Sequence, residues 1–264
     1  MIKVYVAGAC GRMGRLTAET VLRQPDMELA GVADVLGEGQ EWPVAANGRP
    51  PLRLAGRPEA ELLRAAGAEV MVDFTGPQSV RENAVAALTA GVRPVIGATG
   101  LDAAAEAELR RLSREKGVGV FIAPNFALGA ILMMKFAEQA AVWFPDVEII
   151  ELHHDRKLDA PSGTALRTAE RIARVRRPKR QGHAAEAEKL AGVRGGDFEG
   201  MRLHSVRLPG LEGHQEVIFA GSGQALTIRH DAFNRETYMP GVMLAIRQAR
   251  ALTDFVVGLE HFLD

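Results

Sequence analysis

Cysteine is nearly absent from this 264-residue sequence: Cys10 stands alone, so no internal disulfide can form. A chain of this length buries enough surface to fold as one large domain or two modest ones without disulfide or structural metal. An excess of either charge is also missing, with 32 Lys plus Arg against 33 Asp plus Glu. Polyanion and anionic-membrane binders carry a basic surplus, so neither nucleic acid nor membrane is an expected partner, and any charged ligand must be met locally. Although 47% of residues are hydrophobic, no uninterrupted apolar run approaches the ~18 to 20 residues that span a bilayer. Met1 to Ala7 runs straight into a glycine-rich turn with no cleavable apolar stretch, and a cytoplasmic location is expected. There is no G-x-S-x-G elbow and no P-loop, which argues against a serine hydrolase and a P-loop NTPase. Lysine is scarce too: Lys3, Lys116, Lys135, Lys157, Lys179 and Lys189 stand against twenty-six arginines.

What is present begins with rhythm. Short β-branched runs at 2–7, 28–33, 70–74, 94–96 and 118–122 alternate with helical-period segments at 13–23, 58–66, 78–90, 103–116 and 130–143. That alternation predicts βαβ units and a Rossmann-type, doubly wound parallel sheet. Beyond about residue 145 the pattern changes to strands at 147–152, 201–207, 216–220 and 226–230 with one strong helix among them. A second, α+β domain on a mixed or antiparallel sheet is expected there. The boundaries are read as 1–126, completed by 235–264, and 127–234, with hinges near 125–129 and 231–236. The charged, Gly-containing stretch 178–200 reads as a mobile excursion, and 242–252 as a returning helix.

Ligands of doubly wound sheets bind beyond the carboxyl ends of the strands. The first such turn, Gly8-Ala9-Cys10-Gly11-Arg12-Met13-Gly14, follows a strand and opens a helix, and its glycines permit a tight turn and close approach of a pyrophosphate. Asp34 stands twenty residues after Gly14, where a carboxylate accepts hydrogen bonds from adenine-ribose hydroxyls. A carboxylate also repels the 2′-phosphate of NADP. Val35 follows it and Arg12 is the one nearby cation foreseen, so NADH is the preferred cofactor and NADPH an accepted second. Gly97-Ala98-Thr99-Gly100 and Ala123-Pro124-Asn125-Phe126 are placed to line the nicotinamide end.

The stretch from Glu151 to Ala165 is the most loaded with titratable groups. His153 and His154 serve one pocket only if the strand ends there and the chain turns. Pro161-Ser162-Gly163-Thr164 is a helix start whose amides, hydroxyls and glycine suit a carboxylate or phosphate. Lys157 adds a cation that, unlike arginine, can give up a proton. Adjacent histidines lack the i, i+4 spacing of helical metal ligands and no second Cys/His cluster accompanies them, so no metal is expected.

Gly8-Ala-Cys-Gly-Arg-Met-Gly14, Gly97-Ala-Thr-Gly100, Ala123-Pro-Asn-Phe-Ala-Leu-Gly129, Glu151-Leu-His-His154 and Lys157-Leu-Asp-Ala-Pro-Ser-Gly-Thr-Ala165 together resemble the 4-hydroxy-tetrahydrodipicolinate (dihydrodipicolinate) reductases. Gly213-His-Gln-Glu-Val217 and Leu226-Thr-Ile-Arg-His-Asp231 extend the resemblance over essentially the whole chain. It implies NAD(P)H-dependent reduction of a small cyclic dicarboxylate, 4-hydroxy-tetrahydrodipicolinate, to tetrahydrodipicolinate with loss of water, in diaminopimelate and lysine biosynthesis. It further implies His153 as proton donor or acceptor, Lys157 as proton donor, and His154, Ser162, Gly163 and Thr164 as substrate-binding. The cofactor would be held by Gly8 to Met13, Asp34, Gly97 to Thr99 and Ala123 to Phe126. A homotetramer built on the second sheet is implied as well. Many members carry arginine where this chain has Val35. Two other readings keep the first-half turns: a different two-domain NAD(P)-linked oxidoreductase acting on an imine or carbonyl acid, and a non-catalytic dinucleotide sensor.

Overall fold

In the strand Ile2–Ala7 (β1) every side chain but that of Lys3 is buried, which is what a strand covered on both faces by crossover helices requires. The computed structural model describes residues 1–42, 51–98 and 100–263. After β1 come α1 (Arg12–Leu22), β2 (Met27–Ala33), α2 (Ala60–Ala65), β3 (Val70–Asp73), α3 (Val80–Ala90), β4 (Arg93–Ile96), α4 (Ala103–Lys116) and β5 (Val120–Ile122). Helix ends follow local chemistry: the Asp102 side chain accepts from the Ala105 amide at α4's start, and Gly117 at φ +62° closes it.

A second run of elements comprises α5 (Leu128–Ala141), β6 (Asp146–His153), α6 (Gly163–Val175), β7 (Gly196–Phe198), β8 (Met201–Arg207), β9 (Gly213–Gly221) and β10 (Gln224–Ala232). The chain then adds α7 (Met239–Ala249) and β11 (Phe255–Val257). Two compact units result, Met1–Phe126 with Tyr238–Asp264, and Ala127–Thr237.

The first unit holds a six-stranded sheet in the order β11-β5-β4-β3-β1-β2, with every pairing parallel. Val80, Ala84, Leu88, Leu109 and Val120 form one apolar cluster and Tyr5, Leu63, Met71 and Val92 another. β11 was not foreseen. A three-residue strand is too short to display periodicity, and only its pairing with β5 reveals it.

The second unit carries a mixed sheet ordered β10-β9-β6-β8-β7, in which β6 runs parallel to β8 and antiparallel to β9. Alternation along β6 buries Val147, Ile149 and Glu151 on the face covered by α5 and α6, leaving Glu148, Ile150 and Leu152 partly exposed on the other. The stretch expected to be an excursion contains β7 and is stitched to its surroundings. Buried Arg176 donates to the Pro145 carbonyl at 2.6 Å and the Glu199 carbonyl at 3.1 Å, while Gln181 bonds both the amide and the carbonyl of Val147. Among the described residues no helix is long and apolar enough to cross a membrane.

Candidate active site

In the first unit, β1 delivers the chain to α1 through Gly8 to Gly11. Gly8 lies at φ +80°, and a Cβ there would sit 2.8 Å from the Phe74 carbonyl. A Cβ on Gly14 would meet the Gly8 oxygen at 2.0 Å, so the helix comes this close to the turn only with glycine at that position. Gly11 is the N-cap of α1; among the described residues no side chain caps the helix, and its first turn holds no acidic residue. The leading amides and the positive helix end are thus left for an external anion, which fits the pyrophosphate of a dinucleotide.

Asp34, just past β2, accepts from the Cys10 amide and from the Leu36 amide, each at 2.9 Å. These bonds fix the carboxylate beside the glycine turn with lone pairs to spare for ribose hydroxyls. The Cys10 thiol donates to the Leu36 carbonyl at 2.8 Å, and burial together with the Asp34 carboxylate pushes its pKa up, so it remains a protonated turn residue. Ala9 is fully buried, Arg12 exposed and Met13 half-buried.

The cations near Val35 differ from those expected. Arg12 is not the one cation near Val35, because Ala55 bridges Ala33 alongside β2 and carries Arg53 and Arg57 with it. Together with Val35, Glu38 and Glu59 they line a cavity of about 750 Å³. Arg57 is partly offset by Glu59 at 3.5 Å and Glu82 at 3.9 Å.

At the next turn the amides of Gly97 and Ala98 both donate to the Asp73 carbonyl, at 2.9 and 3.1 Å. A Cβ on Gly97 would lie 2.3 Å from the Phe74 ring and 2.9 Å from that of Phe126. Thr99 lies outside the described residues. Ala123 and Phe126 are buried, Phe126 edge-on to Phe74 with centroids 5.7 Å apart, while Pro124 is exposed and Asn125 half-buried. Sequence reasoning missed Asp73, whose buried carboxylate takes the Thr75 amide at 2.8 Å, the Thr75 hydroxyl at 2.6 Å and Asn83 at 2.9 Å. Burial outweighs these donors and raises its pKa.

In the second unit, β6 ends at His153, and the Lys157 amide donates to the His154 carbonyl at 3.1 Å. The chain therefore turns at Asp155 and Arg156, as a shared pocket for the two imidazoles demands. His153 directs Nδ1 at the carboxylate of Glu151, and the Nδ1 of His154 is buried without a hydrogen-bond partner among the described residues. The Lys157 ammonium is held by Asp159 at 2.8 and 3.0 Å, and this pairing keeps the Asp159 carboxyl below its ordinary range. Ser162 is buried; its hydroxyl accepts from the Ala165 amide at 3.2 Å and so caps α6. Gly163, the first residue of α6, is exposed, and a Cβ there would meet nothing within 4 Å, which leaves the helix start open to a ligand.

Glu151 and Arg207 were not singled out from sequence. Arg207 grips Glu151 with two bonds, Nη1 to Oε2 at 2.9 Å and Nη2 to Oε1 at 2.7 Å. They are 56 residues apart in sequence, and the parallel register of β6 on β8 brings them together. Among the described residues no group of three or more His, Cys, Asp or Glu is arranged to hold a metal ion.

Residues 2–126 match the family described as dihydrodipicolinate reductase, N-terminus, and residues 129–263 its C-terminus. The chain belongs to the dihydrodipicolinate reductase family. A 4-hydroxy-tetrahydrodipicolinate reductase of Desulfitobacterium hafniense is 57% identical over all of this chain and 99% of its own length. The enzyme of the same description from Halalkalibacterium halodurans is 51% identical, with both chains fully covered. Among solved structures, a dipicolinate-bound dihydrodipicolinate reductase from Paenisporosarcina sp. TG-14 superimposes with a TM-score of 0.89 at 43% identity, covering 99% of each chain. The first unit is accordingly a nicotinamide dinucleotide-binding domain, and the chain is an oxidoreductase of this family.

Proposed function

We propose that the chain carries out its family's reaction, NAD(P)H-dependent reduction of 4-hydroxy-tetrahydrodipicolinate to tetrahydrodipicolinate in diaminopimelate and lysine biosynthesis, with His153 and Lys157 as the proton-handling groups. The observation that carries the assignment is the adjacency, in a chain of this family, of an oriented imidazole, a lysine ammonium and an open helix start. Overall one hydride and one proton enter and one water leaves. A dinucleotide held by its pyrophosphate at the Gly8 to Met13 turn and by its adenine ribose at Asp34 would supply the hydride from its reduced nicotinamide. Gly97, Ala98, Pro124 and Asn125 are the turn residues proposed to flank its ring.

Hydride addition to the conjugated ring leaves electron density that must be protonated, so an acid is needed within hydrogen-bond reach. His153 fills that role. Lys157, released from Asp159, offers a second donor and a cation for a substrate carboxylate. His154, Gly163 and Thr164 meet the substrate, and Ser162 acts by capping α6 and so presenting that first turn.

Asp34 followed by Val35 supports NADH as the preferred cofactor; Arg53, and Arg57 partly neutralised by Glu59 and Glu82, support NADPH as an accepted one. The partly exposed sheet face bearing Ile150, Leu152 and Ile218 supports a homotetramer. A cytoplasmic setting suits a biosynthetic enzyme that draws on the cell's pyridine nucleotides.

The test generates the unstable substrate in situ from pyruvate and aspartate semialdehyde with its synthase and follows NADH oxidation. Turnover well above background is expected, and its absence overturns the reading. His153→Ala and Lys157→Ala should each lower kcat by about 10²- to 10⁴-fold with the NADH dissociation constant unchanged. A large loss of NADH affinity would move those residues into the cofactor site.

A further inference from the structure

Glu151 is fully buried on the central strand of the second sheet, where an isolated carboxylate would be costly. Both of its oxygens are met by donors, the Ser205 side chain among them. Oε1 accepts from Arg207 Nη2 at 2.7 Å and the Ser162 amide at 3.2 Å, and Oε2 from Arg207 Nη1 at 2.9 Å and from His153 Nδ1. Arg207 is itself anchored, donating from Nη1 to the Val206 carbonyl and from Nη2 to the Asp159 carbonyl, each at 2.8 Å. One guanidinium thus joins β8, the buried carboxylate and the loop that carries Lys157. At the other side of the His153 ring, a Cβ on Gly213 would lie 3.5 Å from Nε2, and glycine leaves that space clear.

Taking His153 as the proton donor proposed above, we infer that the buried Glu151–Arg207 pair is a positioning device that keeps the His153 proton on Nδ1 and reserves Nε2 for proton exchange with substrate. An ionised carboxylate only accepts hydrogen bonds, so the ring nitrogen facing it must bring the hydrogen. The donors around Glu151 overcome its burial and hold its pKa at about 2, so it is ionised at any pH at which the enzyme would work. As imidazolium, His153 then gives up its Nε2 proton. The Nε2–H bond breaks, its electron pair stays on the ring, and a new bond to hydrogen forms at the electron-rich centre left by hydride addition. What remains is the neutral ring with hydrogen on Nδ1, the tautomer Glu151 already binds. Reprotonation of Nε2 by solvent resets the ring without a flip. Arg207 balances the Glu151 charge, so the pair orients the ring without adding net charge beside a dicarboxylate substrate.

The experiment uses the full chain labelled with ¹⁵N-histidine, with the His153 signal assigned by its loss in His153→Asn. In the unsubstituted protein, above the pH at which the ring loses its charge, His153 is expected as the Nδ1–H tautomer. In Glu151→Gln the tautomers should mix and kcat should fall about 10²-fold or more, with substrate KM and NADH affinity within about threefold, and Glu151→Asp should recover part of the loss. A predominantly Nε2–H ring in the unsubstituted protein overturns the inference even if Glu151→Gln fails to fold, and so does a Glu151→Gln enzyme with undiminished kcat. If His153→Asn retains full kcat, the proton-donor assignment fails instead, while the spectrum still judges the pair.

Discussion

Glu151 also has a consequence for stability. Its carboxyl titrates at about 2 in the folded protein against 4.5 for an ordinary glutamate. A folded pKa below the unfolded one stabilises above the unfolded value, and that stabilisation disappears as pH falls from about 4.5 toward 2. The contribution at neutral pH is on the order of 3 kcal/mol. Urea titrations from pH 7 down to pH 2 should show this loss, and Glu151→Gln should flatten the profile over that interval. Val35 is a second position at which one side chain tests a proposed property, the choice of cofactor. Val35→Arg would add a cation beside the ribose carboxylate, alongside Arg53 and Arg57 in the same cavity. Its NADPH over NADH preference in kcat/KM should rise by about tenfold, the worth of roughly one charge-assisted hydrogen bond. An unchanged ratio would mean that Asp34 does not govern cofactor choice. Both positions separate legible from illegible residues. Asp34 could be picked from sequence because strand, turn and spacing surround it, whereas Arg53 and Arg57 come close only through an isolated bridge at Ala55 that no local pattern announces.

Local signals were strongest where one element explains its own boundaries. Helix α6 begins where Pro161-Ser162-Gly163-Thr164 says it should, and the Ser162 hydroxyl makes the capping bond to Ala165. Ser162→Ala should therefore cost about 1 kcal/mol of stability by urea denaturation and leave substrate KM within about twofold. A large rise in KM would instead put the hydroxyl on the substrate. The weakest signals belong to β7 and β11, edge strands of three residues each, which exist through their pairing with one neighbouring strand, β8 or β5. The stretch at 178–200 misled for a related reason. Its charge reads as solvated, yet Gln181 bonds the Val147 carbonyl, Arg194 bonds Glu148 of β6, and the Glu199 carbonyl accepts from buried Arg176 just before the stretch. Hydrophobic periodicity does not register that kind of attachment.

In the second unit, the helices cover one face of the mixed sheet and leave Ile150, Leu152 and Ile218 half-buried on the other. With the proposed tetramer built on that face, sedimentation equilibrium should return the mass of four chains, and Ile218→Arg should lower the assembly state; an unaltered mass would remove the face from the interface. Composition alone bounded the chain's class, and the order of strands and helices predicted both sheets. The glycine turn, Asp34 just past β2 and the loop from His153 to Thr164 could be located from sequence, because each is a local motif with its own spacing. Three things were not readable. The grip of Arg207 on Glu151 depends on the register of β6 against β8, the seating of Asp73 on Asn83 on how β3 meets α3, and the flank of Val35 on a segment lying beside β2. These are contacts between residues on different elements, 10 residues apart for Asp73 and Asn83 and 56 for Glu151 and Arg207. Their partners are selected when strands pair and helices pack, so the chemistry they impose on nearby groups appears only once the chain has folded.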